Sequence, residues 1–132
     1  MNYLLDTHAF IWSLSEKDKL SSTVKQILEN PANNIFVSSI TFWEISLKFS
    51  IGKLDIKGIS PETLPELAID MGFQLIKLSP AESATHHKLI ATKHKDPFDR
   101  MLIWQSIQRG LIFVSKDDRL EAYDHSGLKR LW

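Results

Sequence analysis

The chain has 132 residues, 43% of them hydrophobic, and this length and composition predict one domain with its own core. Its 16 basic and 16 acidic side chains give zero formal net charge. The absence of cysteine excludes a disulfide framework and a cysteine-based zinc site. No apolar run approaches the roughly 20 residues that span a bilayer, and no signal-peptide pattern follows Met1, so we expect a soluble, cytoplasmic protein without a membrane partner.

Short apolar runs alternate with helical patterns along the chain. In chain order we predict a strand at 2–5, helices at 7–14 and 22–28, a strand at 35–38, a helix at 40–50, a helix at 61–71, a strand at 73–78, a helix at 80–91, a helix at 97–109, a strand at 111–115, a short turn or helix at 118–123 and an edge strand at 129–132. This alternation predicts an α/β protein: a three-layer α/β/α fold with a central, mainly parallel sheet of four to five strands.

Several of these helices have clear start and stop signals. Ser39 is predicted to cap the helix at 40–50, and Ser79 with Glu82 has the spacing of a capping box. Asp96 is predicted to cap the helix at 97–109, because proline follows it at the first helical position. Gly110 is predicted to close that helix.

Four acidic residues fall at equivalent places in this pattern. Asp6 follows the first strand, Glu44 lies one turn into the helix after the second strand, and Asp117 follows the fourth strand. Asp99 lies in the first turn of a helix that leads into a strand, so packing must bring it to the same edge. Because the ends of parallel strands and the starts of the following helices share one edge of the sheet, we expect the four carboxylates to lie together there.

Each acid also has a local structural interpretation. Asp6 could cap a helix, and Asp99 could complete a capping box or favour the helix dipole. Glu44 could pair with Lys48 four residues later, and Asp117 could be an ordinary turn residue. These interpretations explain the acids one by one, but not their recurrence at one predicted edge.

Clustered carboxylates need a cation. Two unit charges about 4 Å apart repel by about 4 kcal/mol at an effective dielectric constant of 20, and a hard divalent cation removes that repulsion. Mg²⁺ prefers oxygen ligands, activates water and stabilises the oxygens of an in-line phosphoryl displacement. A carboxylate site without cysteine therefore indicates phosphodiester hydrolysis rather than zinc chemistry.

Four ordered segments carry a family resemblance: LLDTHAFIW (4–12), SSITFWEISLK (38–48), DPFDRMLIWQS (96–106) and FVSKDDRL (113–120). They resemble the acidic motifs of PIN-domain ribonucleases, and most closely those of the VapC-type toxins of bacterial type II toxin–antitoxin pairs. The resemblance covers nearly the whole chain, in the family's order, and implies a single PIN-like nuclease domain over residues 1–132.

The resemblance implies roles for individual residues. The catalytic acids are Asp6, Glu44, Asp99 and Asp117, and three of them, Asp6, Asp99 and Asp117, bind Mg²⁺ or Mn²⁺. Asp99 matches the family better than Asp96, because an apolar helix follows it directly. Supporting positions are Thr7, Ser115 and Asp118; the double acid at 117–118 leaves the fourth acid open between its two members.

The function implied is that of a toxin: a metal-dependent endoribonuclease that hydrolyses phosphodiester bonds in RNA, is bound by a cognate antitoxin and forms a homodimer. The alternative is a catalytically silent PIN-like module that binds RNA or protein. The presence of all four acids favours catalysis. A phosphatase with Asp6 as nucleophile is disfavoured, because His8 stands where that chemistry needs a second aspartate.

Basic and aromatic residues near the motifs are candidate RNA contacts. The RNA-binding candidates are Lys48, Lys53, Arg100 and Lys116, for each of which a solvated surface position is the alternative. Zero net charge argues weakly against nucleic acid, but acids neutralised by metal would leave the remaining surface mildly basic. Trp12, Trp43 and Trp104 lie on apolar helical segments and are predicted to be core residues rather than base-stacking ones.

Three histidines complete the candidates. His86, His87 and His94 lie near one another in the sequence but lack the spacing of a metal site, so they are predicted to be surface residues.

Overall fold

A computed structural model describes residues 1–132 and places five strands in one sheet. The strands are β1 (Asn2–Leu5), β2 (Asn34–Ser38), β3 (Gln74–Ile76), β4 (Ile112–Val114) and β5 (Lys129–Leu131). The α-helices are α1 (Thr7–Ser15), α2 (Ser22–Glu29), α3 (Ser39–Ser50), α4 (Leu64–Asp70), α5 (Pro80–Thr85) and α6 (Pro97–Arg109). Short 3-10 segments cover Lys17–Lys19, Pro61–Thr63, His86–Lys88 and Asp118–Ser126. No helix is both long and apolar enough to cross a membrane.

The sheet is parallel throughout, and its strand order is β3-β2-β1-β4-β5. Successive side chains of β1 point to opposite faces: Tyr3 and Leu5 belong to one hydrophobic core and Leu4 to the other. All three are buried, because helices cover both faces of the sheet. The predicted three-layer α/β/α fold with a central parallel sheet is therefore confirmed.

The direction in which strands are added reverses at β1. The chain first moves outward through β2 and β3, then returns to the other side of β1 for β4 and β5. The carboxyl ends of β1 and β4 therefore flank a topological switch point, where the connections leave in opposite directions and open a crevice. This is the edge at which the sequence predicts the acids to lie.

The helix starts follow their predicted signals, with two shifts. The helix predicted at 61–71 begins as the 3-10 turn Pro61–Thr63 and becomes α-helical at Leu64. Asp96 caps α6, and its Oδ1 accepts the backbone N–H of Asp99 at 3.0 Å. The cap of α3 is Ser38 rather than the predicted Ser39: the Ser38 Oγ accepts the N–H of Ile40 at 3.1 Å. Ser38 takes this role because its backbone is still extended at the end of β2, as a capping residue requires.

The helix predicted at 80–91 is shorter than expected. Helix α5 ends at Thr85, and the chain continues as one 3-10 turn, His86–Lys88. Leu89 then adopts an extended backbone, its side chain is buried, and its carbonyl lies 3.5 Å from the guanidinium of Arg100. Arg100 of α6 thus contacts the segment that follows α5, and the local sequence does not reveal this contact.

A buried polar network joins α5 to α6 around Glu82, which is only 6% exposed. Arg109 donates to its two carboxylate oxygens at 2.7 and 2.9 Å, and Gln105 donates to it at 3.1 Å. The Gln105 Oε1 in turn accepts the Ser38 hydroxyl at 2.6 Å. Burial alone would raise the pKa of Glu82, but the hydrogen bonds from Arg109, the Ser79 backbone and Gln105 outweigh burial and lower the pKa to about 2.

We expect Glu82→Gln to lower the free energy of unfolding at pH 7 by about 1–3 kcal/mol, because charge-assisted hydrogen bonds to a buried carboxylate are lost. Since folding lowers the pKa of Glu82 from 4.5 to about 2, its stabilisation is complete above pH 4.5 and disappears as the pH falls towards 2. Urea unfolding should therefore show a gap between wild type and variant at pH 7 that shrinks at pH 3. Glu66→Gln, on the exposed face of α4, is the matched control.

Candidate active site

A cleft of about 370 Å³ opens at the carboxyl ends of β1 and β4, and we call it the acidic cleft. Its carboxylates come from three distant parts of the chain: Asp6 after β1, Asp99 at the start of α6, and Asp117 after β4. The residues that line it are Asp6, His8, Trp12, Asp99, Phe113, Ser115, Lys116, Asp117, Arg119 and Leu120. Three of the four predicted acids thus meet in one cleft.

Asp6 is the most deeply buried acid of the cleft, with 7% exposure. Its N–H donates to the carbonyl of Val114 at 3.0 Å, and its Oδ1 caps α1 by accepting the Ala9 N–H at 2.7 Å. Burial raises the pKa of Asp6 to about 6, although hydrogen bonds from Ser115 and Ala9 lower it. Asp6 is therefore both the cap of α1 and a buried carboxylate held at the end of β1.

Asp99 and Asp96 have different positions at the start of α6. The Asp96 carboxylate caps the helix, whereas Asp99 lines the cleft and its side chain is 26% exposed. Burial raises the pKa of Asp99, and the nearby charges of Asp96 and Glu44 raise it further. Of the two acids that the sequence offers here, Asp99 is the one that lines the cleft.

Asp117 begins the 3-10 segment after β4 and is paired with Arg119. Its carboxylate accepts the Arg119 backbone N–H at 2.9 Å and the guanidinium at 2.7 and 3.0 Å, and this pairing lowers the pKa of Asp117. The Ser115 hydroxyl accepts the Asp117 N–H at 3.2 Å and holds the turn. Asp118 is exposed and lines a neighbouring groove beside Trp132, which shares Lys116 and Asp117 with the cleft.

Glu44 lies behind the cleft rather than in its lining. It is 2% exposed, and its carboxylate accepts the Thr7 hydroxyl at 2.7 Å and the Lys48 ammonium. Partial burial lowers the pKa of Lys48, but the pairing with Glu44 raises it overall. Thr7 starts α1 and Glu44 lies on α3, so their hydrogen bond ties together the two helices that follow β1 and β2.

His94 is not the surface residue that the sequence predicts. Its side chain is 3% exposed, and its Nε2 lies 3.3 Å from the Asp99 Oδ2 and 4.0 Å from the Asp117 Oδ2. The prediction was wrong because the loop at 92–95 folds back on the first turn of α6. The only local signal is the position of His94 just before a capped helix that carries an acid in its first turn.

The three tryptophans have three different environments. Trp104 is a core residue as predicted, with 7% exposure. Trp12 is half-buried and lines the acidic cleft, and its ring meets that of Trp132 edge-on at 5.8 Å. Trp43 is 60% exposed, which contradicts its predicted core position. It instead packs against Phe98 at the surface, with ring centroids 5.0 Å apart.

The predicted RNA-binding residues differ in their freedom to reach a phosphate. Lys116 is exposed and lines the cleft, with its Nζ 5.9 Å from the Trp12 ring centroid. Lys53 is exposed in the turn after α3. Lys48 is paired with Glu44, and Arg100 donates to the Tyr123 hydroxyl and to backbone carbonyls. Arg119, whose guanidinium pairs with an acid of the cleft, is a further cation in the lining.

The donor set of the cleft fits a divalent cation. One ligand atom each from His94, Asp99 and Asp117 lie within 4.8 Å of one another, and Asp6 lines the same cleft. Carboxylate oxygens suit Mg²⁺ and Mn²⁺, and burial raises the pKa values of Asp6 and Asp99, a cost of ionisation that a bound cation would offset.

Known proteins match this chain over nearly its full length. A family model, PIN domain, matches residues 3–126. Ribonuclease VapC22 of Mycobacterium tuberculosis (strain ATCC 25618 / H37Rv) is 26% identical over 129 residues, which cover 98% of this chain and 97% of that protein.

Solved structures share the fold. One is VapBC2 from Rickettsia felis bound to a DNA fragment from its promoter, with a TM-score of 0.70 and 15% identity, covering 99% of this chain and 98% of that chain. Another is DNA-bound VapBC from Salmonella typhimurium, with a TM-score of 0.64 and 20% identity, covering 99% of this chain and 97% of that chain. At these identities the likeness concerns the fold.

Proposed function

Because this chain belongs to the PIN domain family, we propose that it is a divalent-metal-dependent endoribonuclease that hydrolyses phosphodiester bonds in RNA. The observation that carries the proposal is the meeting of Asp6, Asp99 and Asp117 in one cleft at the switch point of the sheet. The name of the related Ribonuclease VapC22 supports RNA as the substrate. Residues 1–132 act as a single PIN-like nuclease domain.

In this proposal Asp6, Asp99 and Asp117 hold Mg²⁺ or Mn²⁺. The bound ion supplies positive charge that orients the scissile phosphate and activates a water for in-line attack. The chain supplies position: Asp6 is mounted on β1, and Ser115 holds the turn that presents Asp117. Glu44 lies behind the cleft, where it fixes α1 against α3 through Thr7 and contributes negative charge near Asp99.

We propose that a cognate antitoxin binds this chain, because solved structures that share its fold are of VapBC proteins, whose family is one of toxin–antitoxin systems. We also propose that the chain forms a homodimer. Trp43 and Leu47 on α3 and Ile51 directly after its end recur every four residues and are 60%, 42% and 57% exposed, an apolar face that suits a protein contact. A small reading frame beside the gene and a dimer mass in solution are the direct tests.

The alternative is a silent PIN-like module that binds RNA or protein without cleaving it. Catalysis is favoured because a module without catalysis has no need for buried carboxylates with raised pKa values, which cost stability in the absence of a cation. Localisation in the cytoplasm stays a prediction.

Incubation of the purified protein with structured cellular RNA and Mn²⁺ tests the proposal. We expect cleavage that EDTA abolishes and that is absent from an Asp99→Asn preparation purified in parallel. Equal cleavage by the two preparations would indicate a contaminating nuclease. If the purified protein binds metal and is free of antitoxin but leaves every RNA intact, that result would favour the silent module.

We expect Lys116→Ala to weaken RNA binding severalfold, because this exposed lysine lines the cleft beside Trp12. Loss of one phosphate contact on single-stranded RNA should reduce the slope of log K against log salt by about 0.7. Fluorescence anisotropy in an Asp99→Asn background, which prevents cleavage, measures both quantities. Lys129→Ala is the control, because Lys129 is exposed at the start of β5, at the opposite end of the strands. Equal losses in the two variants would point to a general charge effect.

A further inference from the structure

We propose that His94 is a direct ligand of the divalent ion, and that its Nε2 completes a mixed nitrogen–oxygen site with Asp99 and Asp117. This inference rests on the metal site of the proposed function and adds a residue that the acidic motifs do not contain. It also predicts which ion the site prefers.

Distances place His94 among the ligands. Its Nε2 lies 3.3 Å from the Asp99 Oδ2 and 4.0 Å from the Asp117 Oδ2. Two ligands bound to one ion by bonds of about 2.1 Å are about 3 Å apart when adjacent and about 4 Å apart when opposite. The separations around Nε2 therefore fall in the range that one shared ion produces, without rearrangement of the buried imidazole.

Hydrogen bonding on the far side of the ring provides an acceptor for a proton on Nδ1, which leaves Nε2 able to bind a metal. The Thr92 hydroxyl lies 3.1 Å from the His94 carbonyl, to which it donates, and it accepts the His94 backbone N–H at 3.1 Å. The Tyr123 hydroxyl lies 3.0 Å from the Thr92 Oγ1 and can donate its proton there. The Tyr123 oxygen accepts from Arg100 at 2.9 Å and lies 3.2 Å from the His94 Nδ1, whose proton it can accept.

The Nε2 lies 3.3 Å from the Asp99 Oδ2, to which it can donate in the metal-free chain. With the proton on Nδ1 instead, the Nε2 lone pair would face the Asp99 and Asp117 carboxylates, and a bound cation would take the place of the Nε2 proton. The arrangement matches the usual support of a metal-bound histidine, in which the ring nitrogen away from the metal is held by a hydrogen bond. Tyr123 provides that support here, and its own side chain is completely buried.

The nitrogen donor sets the preference for the metal. Mg²⁺ prefers a shell of oxygen ligands and keeps several waters, whereas imidazole suits transition metals. A site with one imidazole and several carboxylates should therefore bind Mn²⁺ more tightly than Mg²⁺. Replacement of His94 should reduce Mn²⁺ affinity by at least about tenfold and narrow the difference between the two ions.

Pulsed electron paramagnetic resonance of the Mn²⁺-loaded full chain tests the ligand directly. A directly bound imidazole couples its ¹⁴N nucleus to the Mn²⁺ electrons, so we expect ¹⁴N modulation in the wild type and its loss in His94→Ala. His8→Ala is the matched control, because His8 is the histidine in the cleft lining; its spectrum should keep the modulation. Titration calorimetry supplies the Mn²⁺ and Mg²⁺ affinities of the same samples.

The outcomes distinguish a wrong assignment of His94 as a ligand from a wrong assignment of the metal site. Bound Mn²⁺ without ¹⁴N modulation in the wild type overturns the inference and leaves His94 as a donor that positions Asp99, while the proposed function stands. Modulation that disappears in His8→Ala but persists in His94→Ala also overturns it. Failure of the wild type to bind Mn²⁺ removes both proposals. If His94→Ala does not fold, the spectra of wild type and His8→Ala still decide the question.

Discussion

Replacement of Asp99 by Asn is expected to reduce Mn²⁺-dependent RNA cleavage by roughly 10³-fold or more, because charge stabilisation by a bound ion is worth several kcal/mol at the transition state. Asn keeps the size of the side chain but removes the charge that lies in the cleft with Asp6 and 3.3 Å from the His94 Nε2. The expected loss lies in the rate of cleavage and in Mn²⁺ affinity, not in folding. Single-turnover cleavage of a labelled RNA measures the rate.

Asp96→Asn is the matched control for this variant, since it makes the same chemical change three residues earlier. Asp96 caps α6 through its Oδ1, and Asn is as good a capping residue as Asp. We therefore expect Asp96→Asn to cleave RNA at close to the wild-type rate. A dead Asp96→Asn beside an active Asp99→Asn would show that the third metal ligand has been assigned to the wrong residue.

Replacement of Asp6 by Asn is expected to have opposite effects on stability without and with metal. Burial raises the pKa of Asp6 from 3.8 to about 6, so ionised Asp6 costs the metal-free protein about 3 kcal/mol at pH 7. Asn removes this cost and can still accept the Ala9 N–H that caps α1. The metal-free variant should therefore melt several degrees above the metal-free wild type.

With metal the order should reverse. An ion at 1,000 times its Kd stabilises the folded wild type by about 4.1 kcal/mol, which exceeds the cost of ionised Asp6, and the variant should lose most of this gain. Thermal melting of wild type and Asp6→Asn, each with EDTA and with Mn²⁺, gives the four melting temperatures. An equal Mn²⁺ response in the two proteins would remove Asp6 from the metal site.

The pH dependence of the metal-free proteins gives a second check on Asp6. An acid whose pKa is higher in the folded than in the unfolded state destabilises the fold progressively as the pH rises from 3.8 to about 6. The advantage of Asp6→Asn should therefore be largest near pH 7 and disappear below pH 4. If Asp6→Asn were more stable than wild type by the same amount at every pH, the difference would come from packing and not from the charge of Asp6.

The sequence alone determined the elements and their order. Short apolar runs and alternating helices predicted the parallel three-layer fold, because burial on both faces of a parallel sheet imposes that pattern. The acids that end or follow strands, Asp6 and Asp117, could be assigned to one edge because strand direction determines where carboxyl ends meet. Capping signals placed the start of α6, and with it the separate positions of Asp96 and Asp99.

The tertiary structure alone decided how deeply each group lies and what it faces. Glu44 is recessed behind Thr7 and Lys48, and His94 is drawn into the site from a polar loop. Trp12 lines the cleft, whereas Trp43 is exposed, although both lie on apolar helices. These positions depend on contacts between residues far apart in the chain, and local periodicity carries no information about such contacts. The sequence therefore predicted four acids at one edge of the sheet, and packing brought three of them into one cleft and added the imidazole that lies beside two of them.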